Sequence, residues 1–174
     1  MKTKYIFFIT LLSLCILSCR DKDQDPDVLP NATQHGANTG GALVDGKVWV
    51  AKIEQPDLNP GGNNTQYEFV NGEYKLQIHL RNIENPSGNV IKIYLVSDQD
   101  FDTGNYQLNE INTAIYSPST YPYYTNSNNV GVINITKFDK VNKIISGTFS
   151  FKAINMFSNE VVTITEGRFD KKFL

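Results

Sequence analysis

The sequence predicts a single all-β domain, an antiparallel β-sandwich or partly open barrel of roughly nine or ten strands, because three observations agree. From Gly40 onward, apolar and polar residues alternate with period two, the spacing of half-buried strands. The runs are short and are separated by Asp-Gly, Asn-Gly and Asn- or Pro-rich stretches, which are turn signals. No segment after residue 18 carries helical period.

The chain begins with Lys2 and Lys4, an almost unbroken apolar run from Tyr5 to Leu17, and the small residue Ser18 before Cys19. This is the build of a signal peptide over residues 1–18. The run falls short of the roughly 20 apolar residues a spanning helix needs. Ile16-Leu17-Ser18-Cys19 resembles the bacterial lipobox, in which cleavage leaves a cysteine that is then acylated. Cys15 is the rival site, but Leu14 before it is larger than the cleavage step usually accepts. An ordinary secreted protein with an incidental cysteine is the remaining alternative. With Cys19 acylated on several chains, membrane attachment is effectively permanent.

Residues 19–39 read as a flexible acidic tether, with Asp21, Asp23, Asp25 and Asp27 alternating and no apolar period. Acids behind a lipidated cysteine resemble the export signal of surface lipoproteins in Bacteroidetes-type bacteria, although Arg20 and Lys22 interrupt them here. The expected location is therefore the outer membrane, displayed on the surface, with the periplasmic face as the alternative.

The all-β domain is expected over residues 40–174. Asp45-Gly46 lies between two apolar runs and Asn71-Gly72 between two more, each a hairpin signal. In the strand after Gly72, Leu76, Ile78 and Leu80 point inward, while Lys75, Gln77, His79 and Arg81 point to water. Asn89 to Ser97 is apolar at more positions and reads as central. Short strands follow at Gly104 to Leu108 and Thr113 to Tyr116, then Gly131 to Phe138. The tightest alternation is Ile145, Gly147, Phe149, Phe151 and Ala153. Val161 to Thr165 pairs back, with a bulge at Gly167 before Arg168 to Phe173. Trp49, between Val48 and Val50, is expected in the core or capping its end.

The segments ISGTFSFKA and VVTITEGRFD, with ITKFD and VDGKVW upstream, resemble a family of small uncharacterised Bacteroidetes-type lipoproteins. The resemblance implies an envelope location and carries no assigned activity, cofactor or catalytic residue.

Counting excludes several chemistries. Loss of the signal removes two basic residues and no acidic ones, leaving 14 basic against 18 acidic, a net charge of −4. Nucleic acid is not the expected partner of such a chain. Cys15 leaves with the signal and Cys19 is acylated, so no thiol remains for a disulfide, a nucleophile or a metal. His35 and His79 are the two histidines. No nucleophile-and-base motif is present, and the chain is not expected to be an enzyme, although its many acids leave a glycosidase-like carboxylate pair open by composition.

Two segments are candidate sites. Asp98, Asp100 and Asp102 alternate before Gly104, a pattern that can converge oxygens on calcium, the one candidate cofactor. In a strand they would line the wet face, and in a turn they would cap backbone amides. Tyr116, Tyr121, Tyr123 and Tyr124 crowd a loop with two prolines, and Asn126 follows. Tyrosine offers a flat apolar face and a hydroxyl, which suit a sugar ring. The alternative is that these rings fold over the open end of the domain. The expectation is a lipid-anchored, non-catalytic module that binds a glycan or an envelope protein. The alternatives are a lipocalin-like carrier of an apolar ligand and a purely structural envelope component.

Overall fold

The structure is a computed structural model that describes residues 28–52, 65–82, 89–118 and 121–174. Cys19, the signal peptide and the first part of the expected tether lie outside the described residues. The strands are β1 (Thr39–Val44), β2 (Lys47–Val50), β3 (Gln66–Val70), β4 (Glu73–Asn82), β5 (Asn89–Ser97) and β6 (Gly104–Leu108). They continue with β7 (Ala114–Ser117), β8 (Tyr123–Tyr124), β9 (Gly131–Asp139), β10 (Ile144–Asn155) and β11 (Val161–Lys172).

Among the described residues these eleven strands form one antiparallel sheet rather than the two layers of a sandwich. Nine of them follow the order β2-β1-β11-β10-β8-β7-β5-β4-β3. The twelve-residue β10 makes the branch: its first two-thirds pair with β9, which carries β6, and its last residues pair with β8. The path curls until its ends approach. Lys52, just past β2, donates its amide to the Arg81 carbonyl (2.9 Å), and Leu174 donates to Thr65 (3.1 Å) beside β3. The result is a curled half-barrel, the partly open form of the expected fold.

Local sequence explains the elements. Asp45 (φ 47°) and Gly46 (φ 77°) both sit at positive φ, as do Asn71 (φ 55°) and Gly72 (φ 84°). Those are the dihedrals of a two-residue hairpin turn, which Asp, Asn and Gly tolerate. The inner face is filled by side chains such as Ile78, Leu80, Ile93, Ile133, Ile145 and Ile164, all essentially inaccessible to water. Each such burial contributes about 1.5–3 kcal/mol relative to exposure. Trp49 joins this core.

The bulge on β11 is real but lies one residue earlier than expected. Glu166 takes the positive φ (51°), and the register slips opposite Phe149 and Phe151. Gly167 serves a different need, because a Cβ there would run into the Phe149 ring.

Two expectations are corrected. His79 is buried at 4% exposure, not solvent-facing. The alternation on β4 holds, since Leu76, Ile78 and Leu80 are buried on the core side, but alternation assigns a side chain only to a face, and the opposite face is not open to water at His79. The second correction concerns the tether, whose residues 28–38 are fastened to the domain. Asp170, on the outward side of β11 and 1% exposed, accepts hydrogen bonds from the Thr33 hydroxyl (2.6 Å) and from the amides of His35 (3.1 Å), Gly36 (2.8 Å) and Ala37 (3.0 Å). Ser146, its cross-strand neighbour, donates a fifth bond at 2.8 Å. A buried carboxylate is costly unless its oxygens are satisfied, and this strap satisfies them.

Candidate functional site

Three connections meet at one end of the sheet: the β1–β2 turn, the β7–β8 connection and the β10–β11 turn. The last is set by Asn155, whose side-chain oxygen accepts the amides of Phe157 (2.9 Å) and Ser158 (3.1 Å). Asn159 (φ 59°) then turns the chain, and the Asn155 amide closes on the Glu160 carbonyl at 2.9 Å. This geometry pushes Phe157 into solvent at 79% exposure. On the neighbouring connection Tyr121 is 56% exposed, and its ring lies 5.2 Å from that of Phe157.

Pro122 follows, and β8 comprises the next two residues. Tyr123 pairs with Tyr116 across β7, their rings 6.2 Å apart and tilted by 42°. The Tyr123 hydroxyl donates to Glu160 Oε2 at 3.2 Å, and the Ser158 hydroxyl donates to the same oxygen at 3.1 Å. Burial, the hydrogen bond to Glu160 and the nearby carboxylates raise the Tyr123 pKa. Burial, Asp45 and Tyr123 raise that of Tyr116. Both phenols therefore stay protonated and can act as donors well above neutral pH.

The Tyr123–Glu160 bond stands between two hollows. The larger, about 590 Å³, lies between Tyr116, Tyr123, Pro118 and the rim residues Asp45 and Lys47. The smaller, about 360 Å³, is bounded by Tyr121, Phe157 and Asn155. Tyr123, Pro118 and Glu160 line both.

Of the five predicted contact residues, the structure therefore gathers Tyr116, Tyr121 and Tyr123. It separates the other two. Tyr124 follows Tyr123 in a strand and points to the opposite face. Asn126 spends its side-chain oxygen on the amides of Asn128 (3.0 Å) and Asn129 (2.7 Å), forming the turn before β9. Sequence reasoning missed Phe157, Glu160, Asp45, Lys47 and Asn155. A signal was available in Met156-Phe157, two large apolar residues where a turn needs polar ones.

The calcium candidates Asp98, Asp100 and Asp102 are not gathered around a common point. Phe101 is 2% exposed and anchors the segment in the core. Asp100 accepts a hydrogen bond from the Tyr67 hydroxyl and pairs with Lys140 at 2.5 Å. Burial opposes its charge, but those two partners outweigh it and lower its pKa. Lys140 also lies 5.6 Å from the Tyr67 ring centre and 5.2 Å from that of Phe138. Asp102 caps the Thr103 amide at 2.7 Å. Among the described residues, no group of three or more His, Cys, Asp or Glu side chains is placed to hold a metal ion.

With the geometry in place, comparison with known proteins adds one match, to the family described as "Domain of unknown function (DUF6252)", over residues 41–171. The chain belongs to this family. No curated protein and no solved structure matches it. The DUF6252 match takes in every strand of the half-barrel except the first residues of β1 and the end of β11. It starts after the strap, whose anchor Asp170 it nevertheless includes.

Proposed function

We propose that this DUF6252 protein is a non-catalytic saccharide-binding module, held at the cell envelope by a lipid on Cys19, with the divided cleft at the end of the half-barrel as its contact surface. The observation that carries this reading is the exposed Tyr121–Phe157 pair standing beside a cleft whose polar groups are already oriented. Exposed aromatic rings next to fixed donors and acceptors suit a sugar, which has apolar ring faces and a hydroxyl rim. The carboxylate of Glu160 is held by Tyr123 and Ser158, which favours a role as a fixed acceptor over a proton-transfer role. The filled inner face favours this surface cleft over an interior carrier site.

The test is a glycan-array screen of the protein beside its Tyr121→Ala/Phe157→Ala variant. Binding that the variant loses supports the reading and locates its face. Silence of the unaltered protein across a broad array overturns it and moves the search to an envelope protein. The anchor is tested separately, because Cys19→Ala should abolish incorporation of a labelled fatty acid.

A further inference from the structure

The larger hollow differs in chemistry from the smaller one. Its walls are the tilted rings of Tyr116 and Tyr123, and its rim carries two carboxylates, Asp45 and Glu160. Asp45 uses Oδ1 to accept the Thr163 amide at 2.8 Å, and Glu160 uses Oε2 as described, so each keeps its second oxygen. Among the described residues neither carboxylate forms an ion pair. Lys47, the one cation on this rim, forms none either and lies exposed at the start of β2. Two tyrosine rings and two carboxylates against the single charge of Lys47 leave the hollow with a net negative lining, a seat for positive charge, since a cation is drawn both to aromatic rings and to the acids.

We infer that the larger hollow takes a protonated amine, so that the preferred saccharide carries a free amino sugar there while a neighbouring sugar stacks on Tyr121 and Phe157. This rests on the saccharide reading of the same cleft. The Tyr123–Glu160 bond then divides two unlike subsites, one for charge and one for an apolar ring face. A hollow of about 590 Å³ has room for a single sugar ring with its amine.

The experiment is calorimetric titration of the full chain with three probes of equal length: a glucosamine trimer, its N-acetylated counterpart and a glucose trimer with the same linkage. The inference expects the glucosamine trimer to bind at least about tenfold more tightly than the other two. Asp45→Asn and Glu160→Gln should each remove about three- to tenfold of that preference, at exposed sites where screening limits each charge. Tyr121→Ala should weaken all three probes together. Equal affinity for the three, still dependent on Tyr121, overturns the amine inference and leaves the saccharide reading standing. A glucosamine preference that survives the Asp45→Asn/Glu160→Gln double variant overturns it as well. No binding of the glucosamine trimer at millimolar concentration overturns the amine inference, whereas the saccharide reading itself falls only if the broad glycan array is silent as well. Thermal midpoints of the variants, expected to match the unaltered protein, show that losses are not unfolding.

Discussion

Thr33 donates its hydroxyl to Asp170 at 2.6 Å across 137 residues of sequence, and with it the chain before β1 is tied to the outer face of the last strand. Burial pushes the Asp170 pKa up, but the bonds from Thr33, Ala37, Ser146 and Gly36 outweigh it and bring it down to about 2. A carboxylate whose folded pKa lies below its unfolded value of about 3.9 stabilises the fold above that value, and the contribution is lost as pH falls through the folded pKa. Stability should therefore drop by about 2 kcal/mol from this group between roughly pH 5 and pH 2. Asp170→Asn should cost about 2–3 kcal/mol at neutral pH and flatten that slope, since its amide would face five donors. Urea titrations at several pH values check both, and an unchanged slope in the variant would count against the assignment.

The strap should behave as part of the folding unit. Deleting residues 28–38 leaves Asp170 with Ser146 as its remaining partner among those five donors. The deletion and Asp170→Asn should each destabilise the domain, yet together cost clearly less than their sum, because they remove one network. Denaturation midpoints of the four proteins in that cycle decide the matter. Additive losses would mean that the strap is held by something other than this carboxylate.

How far the sequence announced these features depended on the range of the interaction behind each. Asp45-Gly46 and Asn71-Gly72 could be read directly, because a two-residue turn is fixed by the dihedrals its own residues tolerate. The core face of β4 was equally plain from Leu76, Ile78 and Leu80. The strap was not, since Thr33 and Gly36 look like linker until Asp170 is brought beside them by the fold. His79 failed for the same reason: alternation gives the face of a side chain, and only tertiary packing says whether that face is wet. The tyrosine cluster was half legible. Neighbouring residues of a strand point opposite ways, which separates Tyr123 from Tyr124, but a two-residue strand such as β8 is too short to show a period.

Gly167 faces Phe149 across β10 and β11. A Cβ on this glycine would collide with the Phe149 ring and lie 2.6 Å from the Phe149 carbonyl oxygen. Gly167→Ala should cost about 1–3 kcal/mol through overpacking. Part of this should be recovered when Phe149→Leu is introduced as well, because the ring is one of the two obstacles. Chemical denaturation of both single variants and the double variant tests this. An alanine that is neutral would show that the strands are free to separate at the bulge.

Calcium should leave the thermal midpoint unchanged. A ligand that binds the folded state at one hundred times its dissociation constant adds about 2.7 kcal/mol of stability, so millimolar calcium would reveal any site of ordinary affinity. The geometry argues against such a site because Asp100 is already neutralised by Lys140, and Phe101, buried between the acids, holds the segment in a path where Asp102 turns to a backbone amide. Recruiting Asp100 to an ion would mean breaking the Lys140 pair and the Tyr67 hydrogen bond. Lys140→Ala removes the first of these obstacles, yet with Asp98 and Asp102 unmoved it should still create no calcium response. A midpoint that rises with calcium, falls with chelator and loses its response in Asp98→Asn/Asp102→Asn would overturn this account of the segment.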